Sequence, residues 1–341
     1  HAFWVTISVL VATCPCALSL AIPTALTCAV ASLTKRGILI KQAHVLETLP
    51  QLTDIAFDKT GTLTQGRFTI ERVELVNTQY SEAEALRLAA QLESFSEHPI
   101  ANAFAGFNDT VNPIENVTIE PGKGITALLN DQHLAIGKSG WFDTEKADAQ
   151  ATLYIDKQVI ARFYLADSLR NNAEKMITTL HSQQIKCHML TGDASNSGQR
   201  IAKQLNLDTV NAACSPRDKQ THVEALASKG AIVAMVGDGV NDSPVFASAH
   251  LSIAMETGAD ISKNSADVVL LNSDLTAIEH LLTVSKKTRR IVKQNLALSL
   301  IYNGSILPLA ALGLVAPWMA VIGMSASSIL VITNSLRLLK L

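Results

Sequence analysis

Charged residues are missing from both ends of the chain. No Asp, Glu, Lys or Arg occurs before Lys35, and none occurs from Gln294 to Leu336. A membrane-spanning helix needs about 20 apolar residues, so the first uncharged block is long enough for one span and the second for two, with a turn near Pro317. Buried core helices of a soluble protein are the alternative, but such helices seldom lack charge over this length. We therefore predict three transmembrane helices.

Other features that the sequence lacks exclude further classes of protein. The 28 basic and 30 acidic residues give a net charge of −2, so there is no electrostatic reason to expect nucleic acid as a partner. The five cysteines, three of them in the first uncharged block, do not form a disulfide framework. The chain starts at His1 inside a hydrophobic run that is not a signal peptide, which predicts the C-terminal portion of a longer protein.

Basic residues flank both uncharged blocks. Lys35 and Arg36 follow the first block, a basic cluster at 286–293 precedes the second, and Arg337 follows it. The positive-inside rule assigns such flanks to the cytoplasmic side of a membrane. We therefore expect the charged middle of the chain to be cytoplasmic and membrane lipid to surround the uncharged blocks.

The charged middle contains apolar runs that end in polar turns. Three such runs, Thr53–Phe57, Lys186–Leu190 and Ala231–Val236, are typical of buried strands, and helical patterns such as Ala173–His181 and Asn196–Leu205 lie between them. Strands that alternate with helices predict a parallel sheet covered on both faces. Active sites in such sheets lie at the carboxyl ends of the strands, which is where all three polar turns occur.

Asp58 directly follows the first of these runs and is a candidate nucleophile. A carboxylate can attack a phosphoryl group and hold it as an acyl phosphate, provided that the charge on the phosphate oxygens is neutralised. Asp238 could share a Mg²⁺ ion with Asp58, while Thr191 could offer a hydroxyl and Lys219 a positive charge. The alternative for a lone Asp after a strand is that it only caps a turn.

Three motifs carry a resemblance to a known family. The strings D-K-T-G-T-L-T at 58–64, T-G-D at 191–193 and G-D-G-V-N-D at 237–242 resemble the P-type ATPases, a branch of the haloacid-dehalogenase-like superfamily. The resemblance implies a multidomain α/β protein with three transmembrane helices, in which a Rossmann-type phosphorylation domain carries an inserted α+β nucleotide-binding domain. Asp167 and Arg170 match the hinge where the chain returns to the phosphorylation domain.

The resemblance also implies where the domains begin and end. The expected segments are a transmembrane helix at 1–34, the phosphorylation domain at 35–66 and 165–285, the nucleotide-binding domain at 67–164, and two transmembrane helices at 286–341.

The roles of the catalytic residues follow from the same resemblance. In the family, ATP phosphorylates the Asp of D-K-T-G-T, so Asp58 is the expected phosphorylation site. Asp238 would bind Mg²⁺ together with Asp58 and the backbone carbonyl of Thr60, and Lys219 would contact the phosphate. The expected catalytic set, whose last two members would stabilise the site, is Asp58, Lys59, Thr60, Thr62, Thr191, Gly192, Asp193, Lys219, Asp238, Asn241 and Asp242.

A histidine and three glycines in the insert resemble the nucleotide site of heavy-metal P-type ATPases. His98 alone is more often a surface or core histidine, but here it lies in Ser-Glu-His-Pro and is followed by Gly-Lys-Gly. The resemblance implies that His98 contacts the adenine of ATP and that the glycines let the backbone approach the nucleotide. The expected ATP-binding residues are Glu97, His98, Gly122, Gly124 and Gly137. The residue after the last glycine is Lys138, where the family usually has Asn.

The first uncharged block contains Cys14-Pro15-Cys16. Proline kinks a helix, and two thiolates beside a kink can bind a soft metal ion. The alternative is that two apolar cysteines merely pack beside the kink. The position of the tripeptide ahead of Asp58 resembles the metal-transporting branch of the family.

The other two predicted spans contain polar and sulfur side chains. Tyr302 and Asn303 are adjacent in one, and Met324 and Ser328 stand four residues apart in the other, on one helical face. Thioether and thiolate ligands select Cu(I). Together with Cys14 and Cys16, these four residues resemble the Cu(I) branch of the family, whereas Zn²⁺-transporting relatives carry a Lys and an Asp in these spans. Ag(I) and Zn(II) are the alternative ions.

The sequence as a whole predicts ATP-driven Cu(I) transport out of the cytoplasm, with ATP and Mg²⁺ as cofactors and a copper chaperone as the donor. The expected location is a bacterial inner (plasma) membrane. A membrane-tethered haloacid-dehalogenase-like phosphatase and a non-catalytic metal-binding subunit are the alternatives. The family's Thr-Gly-Glu actuator loop is absent from the sequence, so we do not expect this chain to complete a transport cycle alone. Detoxification and copper delivery to an oxidase are not distinguished.

Overall fold

A computed structural model describes residues 2–13, 16–96, 98–107, 114–120, 122–143, 149–193, 197–238, 243–255, 266–272 and 274–341. The chain divides into two compact units. The first comprises His1–Phe57, Glu174–His188 and Pro216–Leu341, and the second comprises Asp58–Ala173 and Met189–Ser215.

Helices and strands alternate along most of the chain. The helices are α1 (Ala2–Ala12), α2 (Cys16–Thr34), α3 (Val45–Thr48), α4 (Glu82–Glu93), α5 (Ala173–Ser182), α6 (Ser197–Leu205), α7 (Pro216–Ser228), α8 (Ser243–Ser248), α9 (Thr276–Ala311) and α10 (Pro317–Leu336). The strands are β1 (Ile38–Ile40), β2 (Asp54–Asp58), β3 (Thr64–Leu75), β4 (Glu115–Glu120), β5 (Gly124–Leu129), β6 (Gln132–Gly137), β7 (Ala151–Ile155), β8 (Gln158–Leu169), β9 (Lys186–Leu190), β10 (Thr209–Asn211), β11 (Val233–Gly237), β12 (Leu251–Met255) and β13 (Val268–Leu270).

The first unit contains a sheet with the strand order β1-β13-β12-β11-β2-β9. The pairs β13–β12, β12–β11 and β11–β2 are parallel, and β1 is an antiparallel edge strand. The predicted parallel sheet is therefore confirmed, and β2, β11 and β12 are buried along their whole length. The strand predicted from Ala231 begins later, at Val233, because the N–H of Ile232 donates to Thr53 Oγ1 instead of joining the ladder.

Two helical segments of the described chain are long and apolar enough to cross a membrane. They are Ala2–Thr34 and Pro317–Lys340. The second predicted span falls in the uncharged half of α9, a continuous helix of 36 residues, and it stays a prediction. This half of α9 still exposes large apolar side chains, among them Leu300 and Ile301 at 63% and 67%, as a surface that faces lipid would.

A polar network joins α2, α9 and α10. Asn295 is fully buried, and its amide nitrogen donates to the Ala21 carbonyl at 3.3 Å and to Ser335 Oγ at 2.9 Å. Its amide oxygen accepts a hydrogen bond of 2.9 Å from Asn334, and Thr24 contacts Ser335 at 3.2 Å. Polar groups among apolar helices stabilise the bundle only when they are paired in this way.

The second unit contains an antiparallel sheet with the order β3-β8-β7-β6-β5-β4. Helix α4 packs against it, and its start is fixed by a capping box between Ser81 and Glu84. The core is closed by Phe104 and Phe163, whose rings meet edge to face at 5.0 Å. The carboxyl end of β9, α6 and β10 belong to the same unit.

Replacing Asn295 by leucine should destabilise the protein. The change keeps the volume similar but removes the hydrogen bonds between Asn295 and the Asn334 amide and Ser335 hydroxyl. Paired polar groups between membrane helices contribute about 0.6 kcal/mol each on average. We expect Asn295→Leu to lower the Tm in detergent by about 2–4 °C or more. Ser305→Ala is the control, because that hydroxyl donates to Ile301 O within its own helix. Equal melting curves for the two variants would contradict the assignment.

Candidate active site

Asp58 is the last residue of β2 and has an extended backbone, with φ −68° and ψ 156°. The chain then turns through Lys59–Leu63, where Gly61 has φ +73°. A residue with a Cβ adopts this left-handed conformation only at a cost in free energy. The backbone conformation of the turn therefore favours glycine at position 61. Thr64 closes the turn, because its Oγ1 donates to the Lys59 carbonyl at 2.8 Å. The carboxylate of Asp58 therefore leaves the sheet from a fixed loop.

Arg170 holds this loop from the far end of the insert. Its Nε donates to the Thr62 carbonyl at 2.9 Å and its Nη2 to the Gly61 carbonyl at 2.7 Å. The Thr64 hydroxyl also contacts the Asp167 carboxylate, and burial raises the pKa of Asp167. The two residues that the sequence matched to a hinge thus tie the chain leaving the insert to the chain entering it.

Lys59, Thr191 and Asp193 lie together beside the loop. Lys59 is buried and forms an ion pair with Asp193. The backbone N–H of Asp193 donates to Thr191 Oγ1 at 3.1 Å. Ser197, which the sequence analysis missed, donates to Asp193 at 2.7 Å and accepts from Lys59 at 3.1 Å. Its signal was its place four residues after Asp193, at the start of a helical pattern.

Three other residues of the predicted set have distinct surroundings. Thr60 is extended within the turn, with φ −75° and ψ 128°. Thr62 is fully buried, and its Oγ1 has no hydrogen-bond partner among the residues that the structure describes. A Cβ on Gly192 would meet the Cys214 carbonyl at 3.4 Å, so a small residue fits best there.

Asp238 and Lys219 belong to the first unit. Asp238 directly follows β11, which runs parallel to β2 with Val236 opposite Phe57. Both strands therefore end at the same edge, each with a carboxylate within two residues of that pair. Lys219 is buried in the first turn of α7. Two predicted residues, Asn241 and Asp242, lie outside the described residues.

These groups are chemically suited to a Mg²⁺ ion. Carboxylate and carbonyl oxygens are the ligands that Mg²⁺ prefers. Strand β2 ends in Asp58, and Asp238 directly follows strand β11. The buried Thr62 hydroxyl, which has no hydrogen-bond partner among the described residues, is a further oxygen beside this loop. Asp58, Asp238 and the Thr60 carbonyl are therefore oxygen donors of the kind that Mg²⁺ takes.

A pocket of about 560 Å³, here called the glycine pocket, lies on the antiparallel sheet. His98, Gly122, Gly124 and Gly137 all line it, so the structure brings together four of the five predicted nucleotide residues. Glu97, the fifth, lies outside the described residues. Apolar side chains, among them Ile119 and Phe95, supply much of the remaining wall, which suits a planar base.

His98 is exposed and lines the glycine pocket. Its Nδ1 accepts a hydrogen bond of 3.3 Å from the N–H of Ile100, so the proton of the neutral ring lies on Nε2. The Ser96 hydroxyl accepts from the His98 N–H at 3.1 Å. This local turn orients the imidazole before any ligand binds.

The glycines of the pocket differ in why they are glycines. Gly122 has φ +78° and open space where a Cβ would stand, whereas Gly124 and Gly137 face each other across β5 and β6. A Cβ on Gly124 would lie 2.1 Å from the Ile136 carbonyl, and one on Gly137 would lie 2.7 Å from the Trp141 ring. Packing therefore requires the last two glycines independently of any nucleotide.

The predicted ion-binding residues of α9 and α10 are half-buried. The Tyr302 hydroxyl donates to the Ala320 carbonyl at 3.2 Å, and its ring packs against Gly323, the residue before Met324. Ser328 donates to the Met324 carbonyl at 3.1 Å. Tyr302 is thus brought beside the Met324 turn.

The remaining predicted ion-binding residues are less completely described. Asn303 follows Tyr302 on α9 and is half-buried. Cys16 begins α2. Cys14 and the Cys16 side chain lie outside the described part.

Comparisons with known proteins identify the family to which the chain belongs. The haloacid dehalogenase-like hydrolase family matches residues 55–250. The catalytic domain of the CPx-ATPase CopB-B is 30% identical, and the match covers 73% of this chain and 96% of that domain with a TM-score of 0.64. The chain belongs to the haloacid dehalogenase-like family and, within it, to the heavy-metal (PIB-type) P-type ATPases.

Longer relatives of this PIB-type chain extend the likeness into its membrane helices. Copper-exporting P-type ATPases of Staphylococcus saprophyticus and Staphylococcus aureus are 35% and 37% identical over 97% and 98% of the chain. A zinc-transporting PIB-type ATPase in the E2.Pi state is 33% identical, with a TM-score of 0.79 over 96% of the chain and 56% of that structure. The chain spans 44% of the length of the two copper-exporting relatives.

Glu93 lines the glycine pocket of this PIB-type ATPase, and the sequence analysis did not predict it. It is the last residue of α4, is largely buried, and lines the glycine pocket. Burial raises the pKa of its carboxyl to about 7, although a hydrogen bond from Ser96 favours the charged form. The available signal was an acidic residue at the end of an amphipathic helical pattern at 81–95 of the sequence.

The raised pKa of Glu93 makes stability depend on pH. The carboxyl is protonated in both folded and unfolded chains below about pH 4.5, but burial opposes its ionisation in the folded state until about pH 7. Stability present at low pH is therefore lost as the pH rises through about 7. We expect the Tm of Glu93→Gln, relative to wild type, to rise between pH 4.5 and 7. Glu82→Gln, in the exposed first turn of α4, is the control, and parallel Tm curves for wild type and Glu93→Gln would contradict the pKa.

Proposed function

We propose that this chain is the phosphorylation, nucleotide-binding and ion-site portion of an ATP-driven Cu(I) exporter. One observation carries the proposal: Asp58 ends a buried strand at a loop that is locked by Arg170, next to the buried Lys59–Asp193 pair. A residue that only capped a turn would need no such arrangement. The domain boundaries expected from the sequence, with the nucleotide-binding domain at 67–164, belong to this proposal.

In the proposed reaction, a carboxylate oxygen of Asp58 attacks the γ-phosphorus of ATP. The new O–P bond forms an acyl phosphate as the bond from the γ-phosphorus to the bridging oxygen breaks, and ADP leaves with that electron pair. Lys219 neutralises charge on the transferred group, and Thr62 offers its unsatisfied hydroxyl. Mg²⁺, held by Asp58, Asp238 and the Thr60 carbonyl, supplies further charge neutralisation when bound.

The glycine pocket is the proposed site of the adenine. His98 lines it and keeps Nε2 available as a donor, and Gly122 leaves room for the base against the backbone. A Glu93 carboxyl with a pKa of about 7 can both donate and accept a hydrogen bond, which matches the donor and acceptor edge of adenine.

Copper(I) is the proposed cargo. The predicted ligands are two thiolates, Cys14 and Cys16, with Met324 as a thioether, and these soft groups select Cu(I). No Asp, Glu or Lys lies between Gln294 and Leu336, so a divalent ion would lack a countercharge there. The copper-exporting relatives support this choice, while the likeness to a zinc transporter makes Zn²⁺ the second candidate.

The same proposal includes a cellular location for the protein. The basic flanks favour a cytoplasmic location for the charged middle of the chain, with the predicted spans in a bacterial inner membrane. A copper chaperone is the proposed donor, since free Cu(I) is bound tightly by thiols. Export serves either detoxification or delivery to a copper enzyme.

Asp58→Asn should abolish phosphorylation. The amide lacks the anionic oxygen that attacks ATP, so full-length protein given labelled ATP, Mg²⁺ and Cu(I) should lose its acid-stable, hydroxylamine-sensitive label. Asp131→Asn, in the exposed turn between β5 and β6, is the matched control and should label normally. Label that persists in Asp58→Asn would refute the assignment.

Replacing Cys14 and Cys16 by serine should lower Cu(I) affinity and metal-stimulated ATP hydrolysis together, because hard, neutral hydroxyls replace soft thiolates. Cys28→Ser, in the same helical segment but away from the proline, is the control and should retain both. Zn²⁺ should not substitute for Cu(I) in the wild type. Full Cu(I) stimulation in the double variant, or strong activation of the wild type by Zn²⁺, would be incompatible with the proposed cargo.

A further inference from the structure

A second pocket, of about 440 Å³, borders the Lys59–Asp193–Ser197 group within the same unit. It is called the α6 pocket here, because one wall is formed by Arg200, Ile201 and Gln204 of that helix. The opposite wall comes from β3 and β8 and includes Glu71. Nothing in the reaction described above uses Arg200 or Glu71.

The α6 pocket and the glycine pocket share a wall residue. Gln150 lines both of them, and its side-chain oxygen Oε1 accepts a hydrogen bond of 2.8 Å from the Leu165 N–H. A ligand whose base occupies the glycine pocket can therefore extend past Gln150 towards Lys59. A nucleoside triphosphate has this shape, with a planar base at one end and charged oxygens at the other.

The two cations that line the α6 pocket differ in burial and in how closely they are paired. Lys59 is buried and paired with Asp193, whereas Arg200 contacts Glu71 at 3.5 Å with side chains that are 64% and 47% exposed. Exposed pairs of this kind contribute little and are easily exchanged. Arg200 also lies in the first turn of α6, where the positive end of the helix dipole disfavours a cation and favours an anion. Arg200 is therefore the cation that an incoming anion can recruit.

We propose that Arg200 binds the phosphate oxygens of ATP and that Glu71 holds it until the nucleotide arrives. The inference rests on the proposed function, since it assigns the triphosphate end of the same nucleotide. A guanidinium binds phosphate through two parallel charge-assisted hydrogen bonds, which outcompete one long contact with an exposed carboxylate. Glu71 lowers ATP affinity in two ways, because it occupies Arg200 and repels phosphate.

The alternative is that the Arg200–Glu71 pair is only a strut between α6 and β3. The two interpretations predict different changes in ATP use for the variants Arg200→Gln and Glu71→Gln. Breaking a strut from either side has the same effect, so Arg200→Gln and Glu71→Gln would behave alike. If Arg200 binds phosphate, removing it weakens ATP use, whereas removing Glu71 frees Arg200 and strengthens ATP use.

The experiment measures the ATP concentration that gives half-maximal phosphoenzyme in the full-length protein. We expect Arg200→Gln to raise it about tenfold, as the loss of a charge-assisted contact implies, and Glu71→Gln to lower it at least twofold. Arg72→Gln is the matched control, because Arg72 stacks on the Tyr164 ring and does not line the α6 pocket. Phosphorylation by inorganic phosphate should be the same in all three variants.

The outcomes separate the inference from the proposed function. Equal increases in Arg200→Gln and Glu71→Gln, or no change in either, would overturn the phosphate role while wild-type labelling by ATP leaves the proposed function intact. Opposite shifts with unchanged labelling by inorganic phosphate would support it. Absence of any ATP-derived label in the wild type would overturn the proposed function and this inference together.

Discussion

The turn after Asp58 is the constraint on which the rest of the second unit depends. Its carbonyls point inward and need donors, and Arg170 supplies them from the other end of the insert. The two chains that connect the antiparallel sheet to the loop are joined once more by Thr64 and Asp167. A movement of the insert therefore displaces the loop that carries Asp58. This linkage gives a nucleotide bound on the insert a physical means to act at Asp58.

Electrostatics sets a second condition. Lys59 is buried, and an unpaired ammonium there would be costly, so Asp193 and Ser197 are needed to satisfy it. The pair keeps a fixed positive group beside the loop without excess charge in the resting protein. Exposed Arg200 differs, since its weak pairing leaves it available to respond to an incoming charge.

Local sequence signals predicted much of the fold. The strand Lys186–Leu190 and the helix from Ala173 were predicted almost to the residue, because buried strands and amphipathic helices have distinct periods. Pairings between distant segments were not predicted, as with Tyr302 and Ala320, since no local pattern encodes them. Polar residues such as Asn295 and Asn303 lower the hydropathy of α9, and its uncharged half therefore lacks the clear signal of the other two spans.

Helix α9 runs without a break from its buried first turns to Tyr302 and Asn303, so it links the charged part of the chain to the predicted ion site. If that link serves transport, phosphorylation of Asp58 has to depend on the ion. The most direct test is single-turnover phosphorylation of the full-length protein by labelled ATP, with Cu(I) present and with Cu(I) removed by a chelator. We expect label on Asp58 with Cu(I) and little without it. Equal labelling under both conditions would contradict a Cu(I)-driven cycle.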